Sequence, residues 1–148
     1  MDKINHLLDK RTALILAVFF LIAVLLRFLY FPGNIYFGFD QARDAFISQE
    51  VLKGHIKIIG PSASGAEGIF HGALFYYLFA PIYFISQGDP TGLSIFIRIY
   101  NALGVILVFF IGKNLFAEKK SFGCLIGIIA AAIFAFSYEQ TQYALFMT

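Results

Sequence analysis

The sequence predicts an all-α, polytopic transmembrane protein, and three observations predict it. Hydrophobic residues make up 59% of the 148-residue chain and charged residues only 14%, against about 25% charged in soluble domains. Mean hydropathy is +0.78. The apolar residues fall into long runs separated by short polar ones, and the first run, 12–31, has bilayer length at about 20 residues per span. The net charge of +2, with no basic run of five or more, does not point to nucleic acid. Cys124 is the only cysteine, so no intramolecular disulfide or cysteine-based zinc site is possible. In its apolar run it reads as a small packing residue. Trp is absent, so interfacial aromatic belts must come from 8 Tyr and 19 Phe.

The elements follow in order. Residues 1–11 are polar, and Lys3, Lys10 and Arg11 place this end in the cytoplasm by the positive-inside rule. The 12–31 run is too long for a cleaved signal core and lacks a small-x-small site before Pro32, so it reads as a retained span. Arg27 near its outer end is expected to snorkel or to pair with a carboxylate of the next segment. Pro32-Gly33-Asn34 breaks the helix. Residues 36–72 form an external loop. Within it 40–53 is free of Pro and Gly and reads as a helix, with Gly54 as its C-terminal glycine. Residues 55–59 read as a short extended piece and 61–68 as a flexible loop.

The 72–87 segment holds fourteen apolar residues with a proline, short for a full span and suited to an embedded or re-entrant segment. A turn at 87–90 leads to a span at 93–112. A short loop with Lys113, Glu118, Lys119 and Lys120 precedes a last span at 122–136. If 72–87 crosses fully, these lysines face outward, against the positive-inside rule. If it only dips into the membrane, the lysine loop is cytoplasmic and Glu139 emerges on the side of Asp40. The second arrangement is preferred. The final run, YEQTQYALFMT, reads as the start of another external loop, so the chain is expected to be the N-terminal part of a longer protein.

The most informative stretch is Phe39-Asp40-Gln41-Ala42-Arg43-Asp44, placed just after the first span. Two carboxylates and a guanidinium at a membrane surface carry a desolvation cost if even partly buried. On a helix, Asp40, Arg43 and Asp44 share one face by i, i+3, i+4 spacing. Phe46, Ile47, Val51 and Leu52 spread around that helix, which suits packing against protein or the bilayer interface. The bland reading of Asp40 is a helix N-cap, and Asp44 reads first as an ion-pair partner. Lys53, Lys57 and Glu67 read as solvated charges. His6, His55 and His71 are far apart, and no HExxH, P-loop or Gly-x-Ser-x-Gly motif is present. No metal or other cofactor is expected.

These residues resemble the GT-C glycosyltransferases, most closely the protein mannosyltransferase and aminoarabinose transferase branch. Four strings carry the resemblance over nearly the whole chain: Asp40-Gln41-Ala42-Arg43 through Ile47-Ser48-Gln49-Glu50-Val51-Leu52; His71-Gly72-Ala73-Leu74-Phe75-Tyr76-Tyr77; Arg98-Ile99-Tyr100-Asn101-Ala102-Leu103-Gly104; and Gly112-Lys113-Asn114-Leu115-Phe116. Two departures stand out. Gln41 replaces the second acid of the family's usual pair, and Gly72-Ala73 replace two prolines.

The resemblance implies transfer of a sugar from a polyprenyl-phosphate donor to a lipid, glycan or protein acceptor on the external face of a cell or inner membrane. The expected partners are that donor, the acceptor and the bilayer. It implies Asp40 as catalytic base, with Arg43, Asp44, His71 and Arg98 binding substrate, since a leaving phosphate needs cationic stabilisation. The competing expectation is a small non-catalytic transporter or scaffold subunit, in which the charged cluster is a structural ion-pair network. A transporter places ionisable residues near the midplane of its spans, whereas these acids lie in loops. An inactive truncation of the enzyme is the third expectation.

Overall fold

The computed structural model describes residues 9–62, 68–116 and 120–143. The chain is mostly helical: α1 (Lys10–Arg27), α2 (Phe39–Leu52), α3 (Leu74–Ile85), α4 (Pro90–Ala102), α5 (Gly104–Leu115), α6 (Lys120–Phe136) and α7 (Tyr138–Tyr143), with strands β1 (Ile59–Ser62) and β2 (Phe70–Gly72) between α2 and α3. It divides into two units. Among the described residues, one comprises those up to Gly33 and those from Ile97 to Tyr143, and the other those from Asn34 to Phe96.

In the first unit α1 packs on α5 and α6. The core is Leu16, Ala23, Ala102, Val105, Phe109, Ala131 and Ala135, flanked by the half-buried Phe19, Phe20, Phe134 and Cys124. The close fit of α5 on α6 comes from small residues. Gly123, Gly127, Ala131 and Ala135 recur every four residues and are all buried, so they form one stripe along α6. A Cβ on Gly127 would stand 2.6 Å from the Phe109 carbonyl oxygen, and one on Gly112 would stand 3.1 Å from Gly127 Cα. Small residues at such a seam let the two backbones approach closely.

Two arginines are fully buried in this unit. Arg27 donates from Nε to Asn101 Oδ1 at 2.7 Å and from Nη1 to the Ala23 carbonyl at 3.1 Å. Its guanidinium lies 5.6 Å from the Phe134 ring centroid. Arg98 Nη1 donates to the Arg27 carbonyl, which is one of the orphan acceptors at the end of α1. The Arg98 guanidinium lies 5.0 Å from the Phe31 ring and 5.7 Å from the Phe28 ring. The first helix therefore ends at Arg27, four residues before the expected end of the 12–31 span. Arg27 is neither snorkelled nor paired with a carboxylate in any described contact.

The expected 93–112 span is a 26-residue helical stretch, Pro90–Leu115, and Leu103, between α4 and α5, keeps its helical bonds, donating to the Ile99 carbonyl and accepting from the Leu107 N–H. Among the described residues it is the one helix long and apolar enough to cross a membrane, while Leu74–Ile85 and Ser121–Phe136 are shorter apolar helices. Asp89 Oδ1 accepts from the Thr91 N–H at 2.8 Å, and Pro90 opens the helix where a missing N–H costs nothing. Lys113 sits in the last turn of α5 rather than in a loop. Glu118 and Lys119, like Lys3, His6 and Glu67, lie outside the described residues. The run expected to open an external loop instead forms α7 over Tyr138–Tyr143.

Gly127→Leu should force α5 and α6 apart and lower stability by about 1–3 kcal/mol or more. Thermal unfolding followed by circular dichroism checks this, with Ile129→Leu, on the exposed face, expected to stay within about 0.5 kcal/mol. The hydrogen bonds from Thr91 hold the Asp89 carboxyl below its usual range. A depressed folded-state value stabilises above the unfolded value and is lost as pH falls through the folded one. Asp89→Ala should therefore lower Tm at neutral pH, with the gap to the parent closing as pH drops below the carboxylate range.

Candidate functional site

The site is built within the Asn34–Phe96 unit. The helix α2 starts one residue earlier than the sequence suggests, because Gln41 Oε1 accepts from the Gly38 N–H at 2.9 Å. Gly38 is the N-cap, so Asp40 is not the cap. It stands in the first helical turn, where the macrodipole favours a carboxylate. Gln41 is buried in this capping role.

The buried face of α2 is Gln41, Asp44, Ala45 and Ser48, at i, i+3, i+4, i+7 spacing. It packs on α3, whose buried residues are Tyr76, Ala80 and Tyr83. Phe39 and Phe46 face outward, 84% and 64% exposed. This helix thus hides its small and polar residues and presents its large apolar ones, the reverse of a helix on a water-soluble protein. The seam contains two buried hydroxyls, Ser48 Oγ and Tyr76 OH, with no hydrogen-bond partner in good geometry among the described residues.

The α2–α3 connection, read in sequence as an extended piece and a flexible loop, contains an antiparallel hairpin. Ile59 pairs with Gly72 and Ser62 with Phe70, with an irregularity between. Tyr77 fastens this segment to α3, its hydroxyl accepting from the Lys57 N–H at 2.9 Å and donating to the Lys57 carbonyl at 2.8 Å. Gly60 is required by close approach, since a Cβ there would stand 2.5 Å from the His71 carbonyl oxygen.

The result is a cavity of about 400 Å³ lined by Asp40, Arg43, Asp44, Pro61, Ser62, His71 and Phe75. Four of the five expected site residues, Asp40, Arg43, Asp44 and His71, are brought together here. Arg43 Nη1 donates to Asp40 Oδ1 at 2.8 Å and Nε donates to Asp44 Oδ1 at 2.9 Å. The Asp40 side chain is 68% exposed and that of Asp44 12%, so Asp40 is the carboxylate a ligand can reach. The hydrogen bond to Asp44, with the charges of both aspartates, holds the Arg43 guanidinium above its usual range. Arg43 is thus spent on orienting the two carboxylates, and the three charges sum to −1.

Arg98 is not among the lining residues. It is buried in the other unit, where it caps α1 and stacks on Phe28 and Phe31. Pro61, Ser62 and Phe75 were not singled out in sequence. Phe75 lies within the string that carried the resemblance, whereas Ser62 joins only because the hairpin forms. No group of metal-ligating residues occurs among the described residues.

No protein-family model matches the chain, and neither a curated protein nor a solved structure matches it.

Gly60→Ala should open the hairpin and displace His71. Hydrogen exchange at residues 70–72 should rise while α3 stays protected, which peptide-level exchange measures directly.

Proposed function

We propose that this chain is a polytopic integral-membrane protein of the cell envelope, N-terminus cytoplasmic, and a GT-C type glycosyltransferase. It moves a sugar from a polyprenyl-phosphate donor to an external acceptor. The observation that carries the reading is the convergence of Asp40, Arg43, Asp44 and His71, from two separate sequence motifs, on one cavity. Two further features support it. The outward Phe39 and Phe46 suit a helix lying in the bilayer interface. The 12 residues of α3 span about 18 Å at 1.5 Å per residue, well short of a bilayer core of about 30 Å. That length suits the re-entrant arrangement in which the lysine loop stays cytoplasmic.

The chemistry runs as a displacement at the anomeric carbon. Asp40 accepts the proton of the acceptor hydroxyl. The hydroxyl oxygen bonds to the anomeric carbon, the bond from that carbon to the phosphate oxygen breaks, and the polyprenyl phosphate leaves with the electron pair. Arg43 is a positioning residue that aims Asp40. His71 and the N-terminal ends of α2 and α3, near Asp40 and Phe75, stabilise the departing phosphate. A second reading, a non-catalytic transporter or scaffold subunit, is favoured by one observation: Arg43 already bridges both carboxylates, as a structural network would.

Transfer of radiolabelled sugar from polyprenyl-phosphate donors, in membranes containing the protein, separates the two. Asp40→Asn should reduce transfer by about a hundredfold or more, the scale of losing a general base. Equal transfer by parent and variant removes Asp40 from the chemistry, and no transfer by either with any donor favours the scaffold.

A further inference from the structure

A second cavity of about 400 Å³ lies in the same Asn34–Phe96 unit, lined by Gln49, Leu52, Lys53, Tyr83, Phe84, Gln87 and Gly88. These residues come from the C-terminal ends of α2 and α3, as Asp40 and Phe75 come from their N-terminal ends. The two helices therefore run in the same direction, with one cavity at each end of the pair.

The two helix ends close in the same way but with different residues. After α2, Gly54 donates to the Val51 carbonyl and His55 to that of Glu50, at 3.0 and 3.1 Å. After α3, Gln87 donates to Phe84 at 3.3 Å and Gly88 to Tyr83 at 2.8 Å. Both are Schellman closures, which need a left-handed residue just past the cap. At α2 that residue is Gly54, φ +91°, and at α3 it is Gln87, φ +55°. A side chain at a left-handed position costs of order 1 kcal/mol or more that glycine avoids. The chain bears that cost at the one closure whose side chain lines a cavity.

The lining specifies the ligand. Gln49 and Gln87 each offer two amide N–H donors and a carbonyl acceptor. The amide nitrogen of Gln49 lies against the Gly88 backbone, 3.0 Å from where a Cβ would stand. Lys53 is the cation in this wall, and its ammonium is held by Glu50 at 2.8 Å. Glu50 also takes His55 Nδ1 at 2.6 Å. Both helices present their negative dipole ends here, which disfavours an anion. Phe84, 73% exposed, supplies an apolar face beside the amides. Paired donor–acceptor groups, no uncommitted charge and an aromatic wall fit a neutral, hydroxyl-bearing ring.

We propose that this cavity binds a neutral sugar, either free or as the headgroup of a glycolipid, with Gln49 and Gln87 hydrogen-bonding its hydroxyls and Phe84 against its apolar face. The site stands whether or not the Asp40 cavity is catalytic.

The chain has no tryptophan, so Phe84→Trp gives a single fluorescent reporter in the cavity wall. The full chain carrying it is reconstituted in phosphatidylcholine vesicles and titrated with a monohexosyl diacylglycerol, and separately with a methyl hexoside. A saturable emission shift is expected with the glycolipid. A shift with the methyl hexoside as well identifies a free sugar as sufficient, and its absence assigns the site to a lipid headgroup. Gln87→Gly on the same background should weaken binding at least tenfold while Tm stays equal or rises, because glycine relieves the left-handed strain. Gln49→Met should weaken binding comparably. Equal binding by Gln87→Gly, a lowered Tm in that variant, no response to either sugar, or a response only to anionic phosphatidylglycerol overturns the proposal.

Discussion

The packing of α2 on α3 is the constraint on which both cavities depend. The seam joins Gln41, Asp44, Ala45 and Ser48 to Tyr76, Ala80 and Tyr83. Small residues at 45, 48 and 80 let the backbones approach, and the tyrosines fill the space between them. Because the helices run in the same direction, a hairpin must carry the chain back from the end of one to the start of the other. That return brings Ser62 and His71 over the helix N-termini. Burying Asp44 in this seam requires a cation, and Arg43 supplies it while also holding Asp40. The polar cluster is therefore a consequence of how the seam is closed. Buried ion pairs are weak contributors to stability, but losing one partner is expensive.

The helix ends carry the polar chemistry. At Gly38, Gln41 satisfies an orphan N–H. At Asp89, the carboxylate does the same for Thr91. At Arg27, the orphan carbonyl is met by an arginine from α4. Each removes an unsatisfied backbone group that would be costly in an apolar setting. In the first unit this solution places two guanidinium groups among Phe28, Phe31 and Phe134, where ring faces take part of the role of solvent.

The exposed apolar residues are consistent with these polar arrangements. A unit that hides Asp44 and Ser48 while leaving Phe39, Phe46 and Phe84 outside has its polarity inverted relative to a water-soluble fold. Such a surface is stable where the surroundings are as apolar as the core.

The elements that were legible in the sequence are those set by local chemistry. The helix over 40–53, the glycine closure at Gly54, the short helix within 72–87, the apolar runs near 93–112 and 122–136, and the shared face of Asp40, Arg43 and Asp44 all depend on period, punctuation and run length, which the chain carries along itself. His71 was legible as a site residue only through resemblance. Tertiary structure decided the rest. The end of α1 at Arg27 is met by a donor 71 residues away. The pairing of Ile59 with Gly72 and the entry of Ser62 into the cavity each require two segments to meet. The α6 stripe of Gly123, Gly127, Ala131 and Ala135 was present in the sequence, but its meaning came from α5 lying against it. Spacing along one helix determines which residues share a face, and only the partner's position determines whether that face is core, lipid surface or site.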